Sequence, residues 1–240
     1  MVLESCPLTD ELHKYRRKKI LLKFPALINT CGHDYYLSLW KYLSHIPERF
    51  YFRKAYEDIR EYLNNIQKND PLTLSNILKD YGRLLVLAFK SLGEVNLLKF
   101  HDLALPSNEF DLMQFYDNHI HPTYLKLTEG VFSNLILPIA AHQRIKRNAK
   151  LEGFDLYQRG EELKRTPYRY LSDSYNSTVR NAIAHGKVIY KQRDIIYQDK
   201  SKSVPLPSME VINIFDDMVD TCNGLALGLQ LYYFTNVKVK

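Results

Sequence analysis

Apolar residues recur at every third and fourth position through most of this chain, a spacing that restricts it to helices packed face to face. From Tyr51 to Ile66, the positions Tyr51, Ala55, Ile59, Tyr62, Leu63 and Ile66 form one stripe that ends before Pro71. A second stripe (Ile77, Tyr81, Leu84, Leu85 and Phe89) predicts a helix from Leu72 to about Phe100, interrupted near Gly93. A turn-rich break at Leu105, Pro106, Ser107 and Asn108 divides an N-terminal helical region, residues 1–105, from residues 106–240. The second part begins with a short helix from about Glu109 to Asn118. A longer helix follows, entered through His121 and Pro122 and kinked by Pro138, because an interior proline removes a hydrogen bond and crowds the preceding turn. Another is expected from about Arg169 or Tyr170 to a stop at Gly186. Lys187 to Lys191 and Asp194 to Gln198 then alternate as a small hairpin turning at Gln192 and Arg193. Lys200 to Pro207 reads as a loop, and Ser208 caps a last helix running to about Phe234. The fold class is all-α: a helical bundle with a small β-hairpin and extra N-terminal helices. Ile212, Phe215, Met218, Val219, Cys222, Leu225, Ala226 and Leu229 form a broad apolar stripe on the last helix, with Gly224 and Gly228 permitting close approach. Such a face suits a bundle core or a helix-helix dimer seam.

With 240 residues, 45% of them hydrophobic, the chain can bury one large core or two small ones. Three cysteines (Cys6, Cys31 and Cys222) are too few and too scattered for a disulfide framework or a zinc site, and they fit a reducing cytosol. The longest apolar runs, Leu135 to Ala141 and Leu225 to Leu229, are far shorter than a membrane span. The first residues carry acids and no uninterrupted apolar core, unlike a secretory signal. A cytoplasmic protein without a membrane partner is therefore expected. The net charge of +6 favours a polyanionic partner, nucleic acid or an acidic protein, although the abundance of Lys, Ile, Asn and Tyr also matches a low-GC genome. Positive charge gathers at His13 to Lys19, at Arg144 to Lys150 and at Lys164 to Arg169; the competing reading of each cluster is a solvated helix face.

The segment Arg180 to Gly186, RNAIAHG, sets an arginine, an asparagine and a histidine on one short stretch of helix. Leu171, Tyr175, Val179, Ala182 and Ile183 give that helix an apolar face and leave His185 in its last turn. Asn181 shares the face of His185, while Arg180 lies about 140° around and must use its long side chain to reach the same spot. Thirteen arginines and eight histidines in 240 residues would produce about one such spacing by chance, so the surroundings must support the motif. The pair His119 and His121 invites a metal reading, but no acid or cysteine partner is expected at ligand spacing nearby, and no cofactor is expected. His142 is expected at the surface or in packing. Tyr168, Tyr170 and Tyr175 could stack on bases, or could belong to the core and its rim.

The run SYNSTVRNAIAHGKVIY, on a late helix followed by a hairpin and one long terminal helix, resembles the HEPN superfamily (higher eukaryotes and prokaryotes nucleotide-binding). The signature of that family is an arginine, four to six residues and a histidine, commonly with a polar residue directly after the arginine. The resemblance covers about Glu109 to Phe234 and implies a metal-independent endoribonuclease acting as a homodimer, with two motifs facing each other in a composite site. It implies His185 as acid or base, Arg180 as stabiliser of phosphate charge and Asn181 as the group that orients phosphate or imidazole. Lys187, Arg165, Arg169, Arg144 and Arg147 would then contact RNA. By analogy, such nucleases serve phage defence, abortive infection or toxin–antitoxin systems, so an antitoxin or inhibitor protein is an implied partner. The toxin subgroup that is modified on a tyrosine two residues after the histidine differs here, because that position is Lys187 and Tyr190 is out of register. Control by the N-terminal helices is the alternative. Two other readings stand beside catalysis: an RNA- or nucleotide-binding module that does not cut, and a helical protein-interaction module whose Arg180 and His185 merely pair with carboxylates or carbonyls.

Overall fold

A computed structural model describes residues 52–96, 98 and 104–236, the side chains of 234–236 excepted. The expectations for Tyr51, for Phe100, for the His13 to Lys19 cluster and for Cys6 and Cys31 lie outside the described residues. Helix α1, Arg53–Asn69, buries Ala55, Ile59, Tyr62, Leu63 and Ile66 of the expected stripe, and Tyr56 in addition. Two adjacent residues end it and start the next helix. Asp70 accepts from the Thr73 amide at 3.3 Å, and Pro71 occupies the first turn of α2, Pro71–Val95, where its missing amide hydrogen costs nothing. The expected interruption of α2 at Gly93 does not occur. A helical glycine costs only about 1 kcal/mol relative to alanine, and here Leu92 and Val95 are buried on either side of it.

After coil at 104–108, the two expected helices are one continuous run, α3. It comprises Glu109–Phe115, a π-helical segment Tyr116–Ile120, His121–Leu125, a second π-helical segment Lys126–Phe132, and Ser133–Leu135. Wide turns free carbonyl groups from the regular ladder, and side chains take them up. The Thr123 hydroxyl donates to the His119 carbonyl at 2.6 Å, the Thr128 hydroxyl to the Tyr124 carbonyl at 3.0 Å, and the Asn134 amide to the Gly130 carbonyl at 2.9 Å. The chain bends at Ile136, and Pro138 falls in the first turn of α4, Leu137–Lys146, so the proline begins a helix and the break precedes it. Helix α5, Leu156–Lys164, is capped by Asp155.

The motif helix starts later than its apolar spacing predicts. Arg169–Ser172 is a 3-10 turn, and α6 runs from Ser177 to Ala184, with the Asn176 side chain accepting from the Val179 amide at 3.1 Å. Beyond it, the expected hairpin is a three-stranded antiparallel sheet of order β1-β2-β3: Val188–Lys191, Asp194–Asp199 and Lys202–Pro207. The third strand replaces the expected loop. Its prolines, Pro205 and Pro207, pair opposite Ile196 and Asp194 on an outer strand, where a missing donor can face away from the ladder. Ile195 and Tyr197 of β2 are fully buried, and the sheet packs on α6.

The last helix, α7 (Ser208–Asn236), lies along α1. A Cβ added at Gly224 would stand 2.4 Å from the Phe52 carbonyl oxygen, and one at Gly228 would stand 2.3 Å from Cγ2 of Ile59. The glycine seam is therefore closed within the chain, against α1. One apolar core takes side chains from both sides of the 104–108 break, including Leu63, Leu85, Phe132, Val179, Tyr197 and Leu225. The described chain is thus mostly helical with one small sheet, and no described helix is long and apolar enough to cross a membrane.

Candidate active site

Gly186, with φ of +64°, ends α6, and His185 is its C-cap. The left-handed turn suits glycine because it has no Cβ to crowd the following carbonyl. The His185 amide donates to the Asn181 carbonyl at 3.0 Å, which fixes the backbone beneath the ring. The ring itself is exposed and has no hydrogen-bond partner among the described residues. A histidine held by its backbone but free at both ring nitrogens can exchange protons with a bound molecule.

Arg180 and Asn181 belong to a chain of polar contacts across three elements. Arg180 Nη2 lies 2.5 Å from Oε1 of Glu129, in the second π-helical segment of α3, and Arg180 Nη1 donates to Oδ1 of Asn181 at 2.8 Å. The Asn181 amide donates onward to Oδ2 of Asp199, the last residue of β2, at 2.8 Å. Arg180 Nε is buried and unpaired among the described residues. The structure thus brings Arg180 and Asn181 into direct contact and leaves the His185 ring hydrogen-bonded to neither. Glu129 and Asp199, which anchor the pair, were not singled out from sequence; they are far from the motif along the chain and match no spacing rule.

Of the basic residues expected at RNA, Lys187, Arg165 and Arg169 are exposed and their side chains have no partner among the described residues. Arg144 donates to the Lys150 carbonyl and lies over the Phe154 ring, 4.8 Å from its centroid; Arg147 pairs with the buried Glu162. The tyrosines near the motif have internal partners. Tyr170 donates to Asp58 at 2.5 Å, Tyr168 meets Tyr62 edge-on, and Tyr175 stacks against Phe132 with ring centroids 5.9 Å apart.

A second polar cluster tethers the sheet to α3. The buried His121 has Nδ1 at 3.1 Å from Asp117 and Nε2 at 2.9 Å from the Tyr197 hydroxyl, while Tyr190 donates to the same Asp117 carboxylate at 2.5 Å. Asp117 stands one turn before His121, an acid at ligand spacing that the reading of the His119 and His121 pair overlooked. Both ring nitrogens of His121 are taken up by protein groups, so it serves packing rather than a metal. Burial lowers the affinity of His121 for a proton and outweighs the opposing pull of Asp117. Burial also raises Tyr190 and Tyr197 well above the ordinary phenol range, with hydrogen bonding to the Asp117 carboxylate adding to the rise at Tyr190. His142 is likewise a packing residue, with Nδ1 at 2.7 Å from the Tyr62 hydroxyl.

No family model, no curated protein and no solved structure matches this chain.

Proposed function

We propose that this protein is a metal-independent endoribonuclease whose reacting groups are His185, Arg180 and Asn181. One observation carries the reading: a histidine at a helix C-terminus, exposed and unpartnered among the described residues, follows within one helix an arginine–asparagine pair held by Asp199 of β2. In such a reaction the ribose 2′-hydroxyl attacks the adjacent phosphorus. A base removes the hydroxyl proton, the bond to the 5′-oxygen breaks, and an acid protonates that leaving oxygen, giving a 2′,3′-cyclic phosphate and a 5′-hydroxyl. His185 is the proton-transfer group. The planar guanidinium of Arg180 matches the phosphate oxygens on which charge grows, and Asn181 fixes the guanidinium plane. A single motif supplies one histidine, so a homodimer with two facing motifs provides the second proton-transfer group. Lys187, Arg165 and Arg169 are the cations placed to attract the RNA backbone. By analogy with the HEPN superfamily, the biological setting is phage defence or a toxin–antitoxin pair, with an inhibitor protein as partner.

A second reading is favoured by the Glu129 contact. An arginine already holding a carboxylate suits a module that binds RNA or nucleotides without cutting. Cleavage of labelled single-stranded RNA and of total tRNA in EDTA separates the two. The nuclease reading expects cutting by the wild type and none by His185→Ala; the binding reading expects no cutting by either and equal RNA affinity for both.

A further inference from the structure

We infer that Glu129 occupies the phosphate position on Arg180 in the free protein and must be displaced when substrate binds, making it an intramolecular competitor that sets substrate affinity. The inference rests on the proposed role of Arg180. The nitrogens Nε and Nη2 form one edge of a guanidinium, with parallel hydrogens that match two oxygens of a single tetrahedral or planar anion. On Arg180 that edge is only half used. Glu129 Oε1 meets Nη2 at 2.5 Å, while Nε is buried with no hydrogen-bond partner among the described residues, and a buried donor left unpaired is destabilising. The other terminal nitrogen, Nη1, is held by Asn181, which is held in turn by Asp199, so the guanidinium keeps its plane if Glu129 leaves.

Glu129 is the partner suited to leaving. Its side chain is 47% exposed, against 28% for Arg180, and among the described residues no second hydrogen bond retains its carboxylate. It sits in the π-helical segment Lys126–Phe132, a backbone irregularity of the kind found frequently at functional sites. A phosphodiester bringing two oxygens to the vacated edge would pair Nε and Nη2 together, giving the orphaned donor the partner that Glu129 does not supply. The free state therefore carries a penalty that the bound state relieves. Because the competent arrangement must first be freed, apparent affinity falls by the fraction of molecules in which Glu129 has moved aside.

The test measures binding separately from cutting. A fluorescent single-stranded RNA is titrated against His185→Ala protein in three further backgrounds: Glu129→Gln, Glu129→Asp and Glu152→Gln. Glu152, exposed and without a partner among the described residues, controls for the change in net charge. The expected result is about a fivefold fall in Kd for Glu129→Gln beyond any effect of Glu152→Gln, with a smaller fall for Glu129→Asp, whose shorter side chain withdraws from Arg180. In an Arg180→Ala background, Glu129→Gln should have no effect beyond that of the control. Thermal melts with inorganic phosphate as probe supply a readout independent of RNA, and a larger phosphate-induced rise in Tm is expected for Glu129→Gln. Weaker or unchanged binding by a folded Glu129→Gln protein would overturn the inference, as would a gain that persists without Arg180. In the His185-intact protein, KM should fall in Glu129→Gln. If RNA binds as described but the wild type never cuts, the nuclease reading fails and the competition stands.

Discussion

Arg180 and His185 lie five residues apart in opposite circumstances, and substitution distinguishes them. The His185 ring touches no hydrogen-bond partner among the described residues, so His185→Ala is expected to shift unfolding free energy by no more than about 0.5 kcal/mol. It should nevertheless reduce cleavage by about 100-fold or more, the usual worth of a positioned acid or base. Arg180→Ala leaves Glu129 and the Asn181 carbonyl oxygen without their donors, and is expected to cost about 1 kcal/mol of stability as well as cleavage. Urea melts read the first quantity and initial cleavage rates the second. Equal stability losses in the two variants would mean that His185 has a structural partner. The shared helix of the three residues was legible in sequence because their spacing is local. Their anchors were not, since Glu129 and Asp199 reach the motif only through the packing of α3 and β2 around α6.

At the scale of elements, the seam between α1 and α7 gives the sharpest expectation. Gly224→Ala would push a methyl group to 2.4 Å from a backbone oxygen that cannot rotate away, and Gly228→Ala meets both Ile59 and the Tyr56 carbonyl. Each is expected to cost about 1–3 kcal/mol, as overpacking does. Gly160→Ala, in α5 with nothing within 4 Å of the added atom, should instead gain about 0.5–1 kcal/mol. Chemical denaturation of the three variants checks both signs. The close approach of this seam was readable from Gly224 and Gly228, but its partner was not, because the same small-residue face serves a bundle core or a second chain equally well. α1 was readable because its stripe is regular and Asp70–Pro71 marks its end. β3 was hidden by Pro205 and Pro207, which argue against a strand until an outer position removes the need for their donors. The start of α6 was misplaced because Leu171 and Tyr175 have helical spacing while sitting in a 3-10 turn and the approach to the Asn176 cap. The wide turns of α3 left no mark in its apolar pattern.

For the molecule as a whole, two opposed titrations shape the dependence of stability on pH. Burial holds His121 and His142 below the ordinary 6.5, with Lys146 adding to the effect at His142. The unfolded chain therefore takes up protons first, and the associated stability is full above 6.5 and lost as pH falls below it through the lowered values of the folded state. Asp220 runs the other way. Burial, followed by repulsion from Asp216 and Asp217, pushes its carboxyl up to about 7, so the folded state retains a proton that the unfolded state releases, and stability is lost as pH rises toward 7. Asp220→Asn is expected to raise stability above pH 7 by about 1 kcal/mol, after discounting for solvent screening at a partly exposed site, and to leave pH 4 unchanged. In that background the urea midpoint should fall between pH 7.5 and 5.5, with His121→Gln flattening part of the slope. A midpoint that rises on acidification would contradict the buried, neutral histidines. Since α1 covers the glycine seam of α7, a homodimer of the proposed kind would have to use another face. The most direct measurement of the central proposal is cleavage of labelled single-stranded RNA in EDTA by the wild type and by His185→Ala, with the fragment ends identified. Cutting by the wild type alone, leaving 2′,3′-cyclic phosphate ends, is the expected result; equal cutting by both proteins, or none by a folded wild-type dimer, would contradict it.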